Sequence, residues 1–485
     1  MSRWKESLAG RVALAVLLAF GFYVLALGLI GGLLYIPYAE LRYAYSINSW
    51  PAIVCLLVAG IMVRAILPRP NRFKPPGPRL APADQPRLFS VVEHVAQRTQ
   101  QAVPRYVYLI PGVNAFVGKR GGFMGIGGRR VLGLGLPLVA SLNVGEFEAV
   151  LAHEFGHFHS GDTTLGPWVY KTRAAIIRTI LASRVGWMRN LFVWYARLFL
   201  RITYAVSRRQ ELVADRLAAR VSGTQALASA LRKLAASEAA FRPYWTAEVS
   251  PVLEVGFAPP IAEGFQQFLS APMVHKLTSR EVAESLNWEV EHPYDTHPPI
   301  RERLAAIADL PMGPLGDETP ALSLIDRLEE QERRLLAHVL GKADTRHFER
   351  LAWSDVPKVV IVARWERMVG EYAEALRNRT ASEVPVLLST FESLRELIRR
   401  RAKVPLTAEA IRKAVQVLLS SALALALVRN DWLVQTAPGE RIVLRRGEQS
   451  LDIGELFSKL AAGSVSAEEW REWCVNAGIG GTALA

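Results

Sequence analysis

The sequence predicts a mostly α-helical chain with one small β-sheet, an α+β class, and three observations carry that prediction. Two long runs near the start, Val12 to Ala39 and Tyr43 to Val63, contain no charged side chain. Short β-branched and aromatic segments after Arg105 lead into a helix that opens on a capping-box pattern, Asn143 with Glu146 three residues on. From Thr319 onward, amphipathic helical patterning dominates. A chain of 485 residues can hold two or three domains with large cores.

Each charge-free run is long enough for a helix to cross a hydrocarbon layer of roughly 30 Å, which takes about 20 residues. The first also exceeds the apolar core of a signal peptide, about 7–15 residues, so it is expected to be retained. Orientation follows from the cations. Arg3, Lys5 and Arg11 precede the first run, and Arg64, Arg69, Arg72, Lys74 and Arg79 follow the second, whereas the connecting loop offers only Arg42 beside Glu40. The positive-inside rule then predicts a transmembrane helical hairpin over residues 1–67, with both termini and everything after it cytoplasmic. Two cysteines far apart in sequence, Cys55 and Cys474, suit a reducing compartment. The net charge of +13 comes without an interleaved nucleic-acid motif, so the expected partner is an anionic lipid bilayer and no nucleic acid.

A proline-rich linker, residues 68–83, is expected to be extended and semi-rigid. A helix from Asp84 to Gln101 follows, with Leu88, Val91, Val92 and Val95 as its apolar stripe and His94 as a surface residue. Arg105 to Pro111 patterns as a strand, and Asn114-Ala115-Phe116 resumes it after Pro-Gly. The stretch RRVLGLGLPLV is another strand candidate, and the glycines between Gly121 and Gly135 lack the spacing of a phosphate loop.

The chemistry gathers in AHEFGHFHSGD, Ala152 to Asp162. His153 and His157 stand a little over one helical turn apart, so both imidazoles leave one face and can grip a single metal ion. Glu154 flanks that ion as a carboxylate able to take a proton from attacking water, the donor set a zinc hydrolase needs. A third protein ligand is required, and Glu211 in SRRQELVAD is the candidate. Asp215, one turn on, is positioned to accept the free ring N–H of a liganding histidine; the bland alternative is a surface helix with two carboxylates. In YDTHPPIRERL, His297 precedes two prolines and a helix start. It is either an oxyanion stabiliser or a structural capping residue. Asp162, and less favourably His159, are candidates for supporting contacts to the ligands.

Between Thr163 and Val206 the chain carries seven cations, Lys171, Arg173, Arg178, Arg184, Arg189, Arg197 and Arg201, and no acidic residue. No uncharged run there reaches spanning length. This basic, tryptophan-rich insertion, residues 163–206, either lies at an anionic membrane surface or forms a solvated helical hairpin.

HEFGH with Asp162, then ELVAD, then THPP, in that order, resembles the membrane-bound zinc metalloproteases of the HtpX and CAAX prenyl endopeptidase family, over roughly Asp84 to Asp309. The resemblance implies a gluzincin-type protease domain over residues 84–310, with one zinc ion held by His153, His157 and Glu211. It also implies Glu154 as general base, His297 as a transition-state helper, and Asn114, Ala115 and Phe116 as a substrate-binding edge that aligns a polypeptide as an added strand. The chain departs from the family in having the basic insertion where HtpX-type proteins carry a second pair of spans. Two spans cannot build the chamber of the prenyl endopeptidases, so prenylated substrates are not expected.

Residues 311–485 form an extension without a metal, nucleophile or phosphate signature, expected to select substrate, to regulate or simply to pack. The uncharged run Ala414 to Val428 is expected to be buried, Trp432 to Ile453 to hold short strands, and Ser466 with Glu469 to cap the last helix. The function expected of the whole is a membrane-anchored zinc endopeptidase engaged in membrane-protein quality control. The alternatives are a processing protease for one dedicated substrate and a non-proteolytic scaffold with structural zinc. No pattern in the chain fixes an oligomeric state.

Overall fold

The structure is a computed structural model that describes residues 2–43, 49–67, 73–120, 128–159, 162–183, 185–287, 298–313, 316–341, 348–390, 392–402 and 405–485. The chain divides into two compact units, Met1–Ser237 with Ser279–Val339, and Glu238–Thr278 with Leu340–Ala485.

The first unit begins with two apolar helices, α1 (Ser2–Tyr43) and α2 (Ser49–Ile66). Small residues on their facing sides, Ala19, Ala26 and Ala59, are buried and let the backbones approach. Their outer faces expose Leu17, Phe20, Leu27 and Leu57, apolar surface that suits lipid rather than water. Val12–Tyr43 is long and apolar enough to cross a membrane, while the apolar stretch of α2, Trp50–Ile66, is shorter.

The sheet follows from β1 (Arg79–Leu80), α3 (Pro86–Arg98), β2 (Tyr106–Ile110), β3 (Ala115–Arg120) and β4 (Arg129–Gly135), in the order β1-β2-β4-β3. β2 and β4 run parallel with Val107 opposite Leu132, and β3 pairs antiparallel with β4, placing Val117 opposite Leu132. The end of the proline-rich stretch is thus more than a spacer, because Arg79 and Leu80 pair with Tyr108 and Val107 as an edge strand. Gly77 permits this, since a Cβ there would lie 1.7 Å from the Leu109 carbonyl oxygen. The helix expected from Asp84 to Gln101 is shorter, with Pro86 in its first turn and Gln100 at φ 56 beyond its last. The strand expected through Val139 stops at Gly135, where Pro137 falls in the first turn of a new helix, α4 (Leu136–Ser141).

Next come α5 (Val144–His159), α6 (Asp162–Ala182), α7 (Gly186–Ser222) and α8 (Thr224–Tyr244). The capping box forms as its sequence predicts: Asn143 N–H donates to Glu146, and Glu146 N–H to the Asn143 side chain, at 2.9 and 2.8 Å. Glu146 is buried, and its charge is met by Ser229 Oγ at 2.6 Å and Lys233 Nζ at 2.8 Å, both from α8. Phe147, Leu151 and Phe155 recur at one-turn spacing on α5 and are almost wholly buried. Each such side chain contributes about 1.5–3 kcal/mol of burial, which fixes the rotation of α5 about its axis and so the direction of its polar face. Gly223, at φ +89, makes the turn from α7 into α8.

In the second unit, helix Ala408–Val428 is the central element, with Leu418, Leu419, Ala422, Leu423, Leu425 and Leu427 buried. It is long and apolar enough to span a membrane, but 61% of its apolar window is covered by protein. Strands Leu433–Gln435, Val443–Arg446 and Gln449–Asp452 form an antiparallel sheet. The last helix, Ala467–Asn476, starts on the Ser466–Glu469 capping box, and buried Trp470 donates its indole N–H to the Ala381 carbonyl at 3.0 Å.

Candidate metal centre and active site

Helices α5 and α7 build the site between them. His153 and His157 leave one face of α5 with their rings 4.9 Å apart and nearly perpendicular. Glu211 reaches them from α7: its Oε2 lies 3.4 Å from His153 Nε2 and its Oε1 3.7 Å from His157 Nε2. All three ligand atoms fall within 4.8 Å of one another. Atoms bound at about 2.0–2.2 Å to one tetrahedral ion stand roughly 3.3–3.6 Å apart, so the two histidine–Glu211 separations suit a zinc-sized cation.

The close approach of the two helices depends on the glycine inside HEFGH. A Cβ on Gly156 would lie 2.9 Å from Ala214 Cα, on the turn of α7 that follows Glu211. Gly156→Val is therefore expected to push Glu211 away from the imidazoles. Metal affinity, read by competition with a chromophoric chelator, should fall roughly 10–100-fold, the range for residues that position ligands.

Asp215 lies one turn beyond Glu211, fully buried, with Oδ1 2.9 Å from His153 Nδ1. The expected ring N–H acceptor is thus at hydrogen-bond distance. A residue that the sequence did not single out completes the arrangement. Arg303, on the short helix Ile300–Ala305, forks onto Asp215 with Nε to Oδ2 at 2.8 Å and an Nη to Oδ1 at 2.7 Å. It also stands 3.9 Å from Glu211. Its only local signal is its place in RER after the two prolines, where Arg301 is exposed and Arg303 turns inward.

These contacts set the charges. Burial disfavours the imidazolium of His153, but hydrogen bonds to Asp215 and Glu211 outweigh it and lift its pKa to about 9. The carboxylates that favour a proton there also favour a cation, and coordination takes the neutral ring. Burial also opposes ionisation of Asp215, yet Arg303 and His153 hold its carboxyl below the usual range.

Glu154 is half-buried beside the histidines. Burial pushes its carboxyl above the ordinary carboxylate range, against the two imidazoles, and Glu211 adds to the rise. The backbone N–H of Val117 donates to this carboxylate. Sequence reasoning missed that contact, which ties the base to the sheet. Among the described residues β3 has a strand partner on one side only, β4. Val117 therefore faces the open edge, and Ala115, two residues earlier, presents its backbone to the same side. Asn114 is exposed, Ala115 is buried, and Phe116 lies across Gly133, where a Cβ would strike its ring at 2.3 Å.

The other expected site residues are less fully described. His297 lies outside the described residues. Asp162 opens α6 and His159 closes α5, and their side chains lie outside the described set. His94 is exposed on α3.

The model of peptidase family M48 matches residues 82–310, which contain every residue of this cluster. Residues 82–310 are a peptidase family M48 domain. The chain is 30% identical over 166 residues to Protease HtpX of Idiomarina loihiensis, covering 30% of this chain and 56% of that protein. It is 35% identical over 117 residues to Protease HtpX homolog 1 of Saccharolobus solfataricus, covering 23% and 33%. To the Protease HtpX homolog of Pelotomaculum thermopropionicum it is 27% identical over 243 residues, covering 46% and 74%. The first two alignments span about half and a third of those relatives' lengths. No solved structure matches the chain. Within the matched residues the structure gathers His153, His157 and Glu211 into one cluster that could hold a metal ion.

Proposed function

We propose that the chain is a membrane-anchored zinc endopeptidase. The observation that carries this reading is the convergence of His153, His157 and Glu211 within 4.8 Å, with Glu154 on the same side. Three protein donors are the number a catalytic zinc uses, one coordination position being kept for water or substrate. Bound there, the ion would supply Lewis acidity and make water a nucleophile at neutral pH.

The protein's own groups do the rest. Glu154 accepts the proton of the attacking water and returns it to the leaving amine, and the elevated pKa of its carboxyl suits both halves of that task. Asp215 holds His153 in the tautomer whose Nε2 faces the metal, and Arg303 holds Asp215. A polypeptide substrate adds a strand to the open edge of β3 around Asn114, Ala115 and Phe116, which sets its scissile carbonyl beside Glu154. His297 stabilises the developing oxyanion.

In this reading residues 1–67 anchor the enzyme with two spans, 68–83 link to the protease domain at 84–310 on the cytoplasmic side, and 311–485 form the extension. Its substrates are membrane proteins under quality control. The test is metal removal: EDTA should stop casein digestion, zinc should restore it, and elemental analysis should find about one zinc per chain. Digestion that persists in the stripped protein would sink the proposal.

A further inference from the structure

The outer face of the four-stranded sheet carries a cluster of cations that the metal site does not use. Strand β2 alternates, with Val107 and Leu109 wholly buried in the core, so Tyr106 and Tyr108 leave the opposite face. Their rings stand 6.4 Å apart, and Phe73 covers Tyr108 at 5.8 Å. Tyr106 ends this aromatic row and is half-buried. Three arginines from separate parts of the sheet converge on it. The guanidinium of Arg79, on β1, lies over the ring 4.6 Å from its centroid. Those of Arg105, just before β2, and Arg129, at the start of β4, stand at 5.9 and 5.8 Å. An Nη of Arg129 also donates to the phenol oxygen at 2.6 Å. Arg334 donates to the Arg79 carbonyl at 2.9 Å, which fixes the backbone from which the stacked cation projects.

Three like charges around one ring repel one another, and an anion among them would turn that repulsion into attraction. Among the described residues none of the three pairs with a carboxylate, and all are exposed. Local sequence supplies no counter-charge either. Between His94 and Gly145 the chain has six cations and no Asp or Glu, and the β3–β4 register sets Arg120 opposite Arg129 at this same end. Desolvation would raise the Tyr106 phenol, yet hydrogen bonds and charge from Arg129 and Arg105 outweigh it and lower its pKa. The surroundings thus favour a negatively charged oxygen. Tyr106 acts as the scaffold. It holds Arg79 flat through its ring and Arg129 through its hydroxyl, and leaves most of their N–H donors unspent.

We propose that Arg79, Arg105, Arg129 and Tyr106 form a binding site for a phosphate group, carried either by free phosphate or by the headgroup of an anionic phospholipid. Guanidinium forks match phosphate oxygens two at a time, and the phenol O–H adds a further donor. The headgroup source is within reach of the anchor, because the six residues from Leu67, at the end of α2, to Phe73 extend at most about 20–22 Å. That source rests on the reading that α1 and α2 span the bilayer; the free-phosphate source does not.

The test titrates the full chain in detergent with inorganic phosphate at constant ionic strength, followed by calorimetry. Arg79→Gln, Arg105→Gln and Arg129→Gln should each bind phosphate severalfold more weakly, and Arg105→Gln with Arg129→Gln at least about tenfold more weakly. Melting temperatures without phosphate should not fall, because each variant relieves repulsion. A second arm counts phosphatidylglycerol retained by the parent and by the double variant in native mass spectrometry. One lipid fewer on the double variant assigns the site to a headgroup, and equal lipid with weakened phosphate binding assigns it to free phosphate. Phosphate and lipid binding both unchanged in the double variant would overturn the site. Lowered melting temperatures with unchanged binding would make the arginines packing elements, and malonate bound as tightly as phosphate by the same residues would overturn the phosphate assignment.

Discussion

Glu154→Gln should lower casein digestion by about 10²–10⁴-fold while zinc content and melting temperature stay at parental values. The substitution is close to silent for structure. The Val117 N–H that bonds to the carboxylate can bond equally to the amide oxygen, so the link between α5 and the edge strand survives. The ligands His153, His157 and Glu211 are untouched, and the three-donor cluster remains whole. What disappears is the capacity to take a proton. Parental turnover in the variant would mean that the proton goes elsewhere and that the base is misassigned. Lost activity accompanied by lost zinc would instead show that Glu154 supports the ligands.

Why Glu154 and the two histidines were legible in the sequence, while Arg303 was not, is a matter of range. The spacing in HEFGH is local, and helix geometry converts it directly into a shared face. The capping box at Asn143 and Glu146 is local too, and both of its hydrogen bonds are present. Glu211 required a chemical argument, the need for a third donor, because ELVAD alone does not say which site its carboxylates serve. Arg303 answers to a charge far away in sequence. Asp215 is fully buried and needs a cation, but periodicity cannot tell which arginine of RER will supply it.

The same limit applies to the sheet. Strand patterning found β2, β3 and β4, yet the β1-β2-β4-β3 order and the two-residue β1 depend on partners that no local pattern encodes. Residues 163–206 admit two readings in the sequence for a related reason: the stripe that buries Phe192 and Phe199 is ordinary amphipathic patterning, and only the structure shows that it is buried against α1 and α2.

Arg303→Met is the variant expected to cost the most stability, about 3–5 kcal/mol, because it strands the Asp215 carboxylate in the interior. Asp215 has no exposed surface, and Arg303 supplies two of its hydrogen bonds, leaving His153 as its other cationic partner. Denaturant unfolding of the variant beside the parent measures the loss. The double variant Arg303→Met with Asp215→Leu separates folding from function, since removing both charges relieves the uncompensated burial and should recover most of the stability. Zinc affinity should not recover with it. His153 would then have lost the acceptor at 2.9 Å that fixes its tautomer, and a deficit of roughly 10–100-fold should persist. If stability and zinc affinity return together, Asp215 and Arg303 are packing elements of the α5–α7 interface and the orienting role falls. If stability returns alone, the pair keeps its charges for the metal site, at a cost to folding that an apolar pair would not impose.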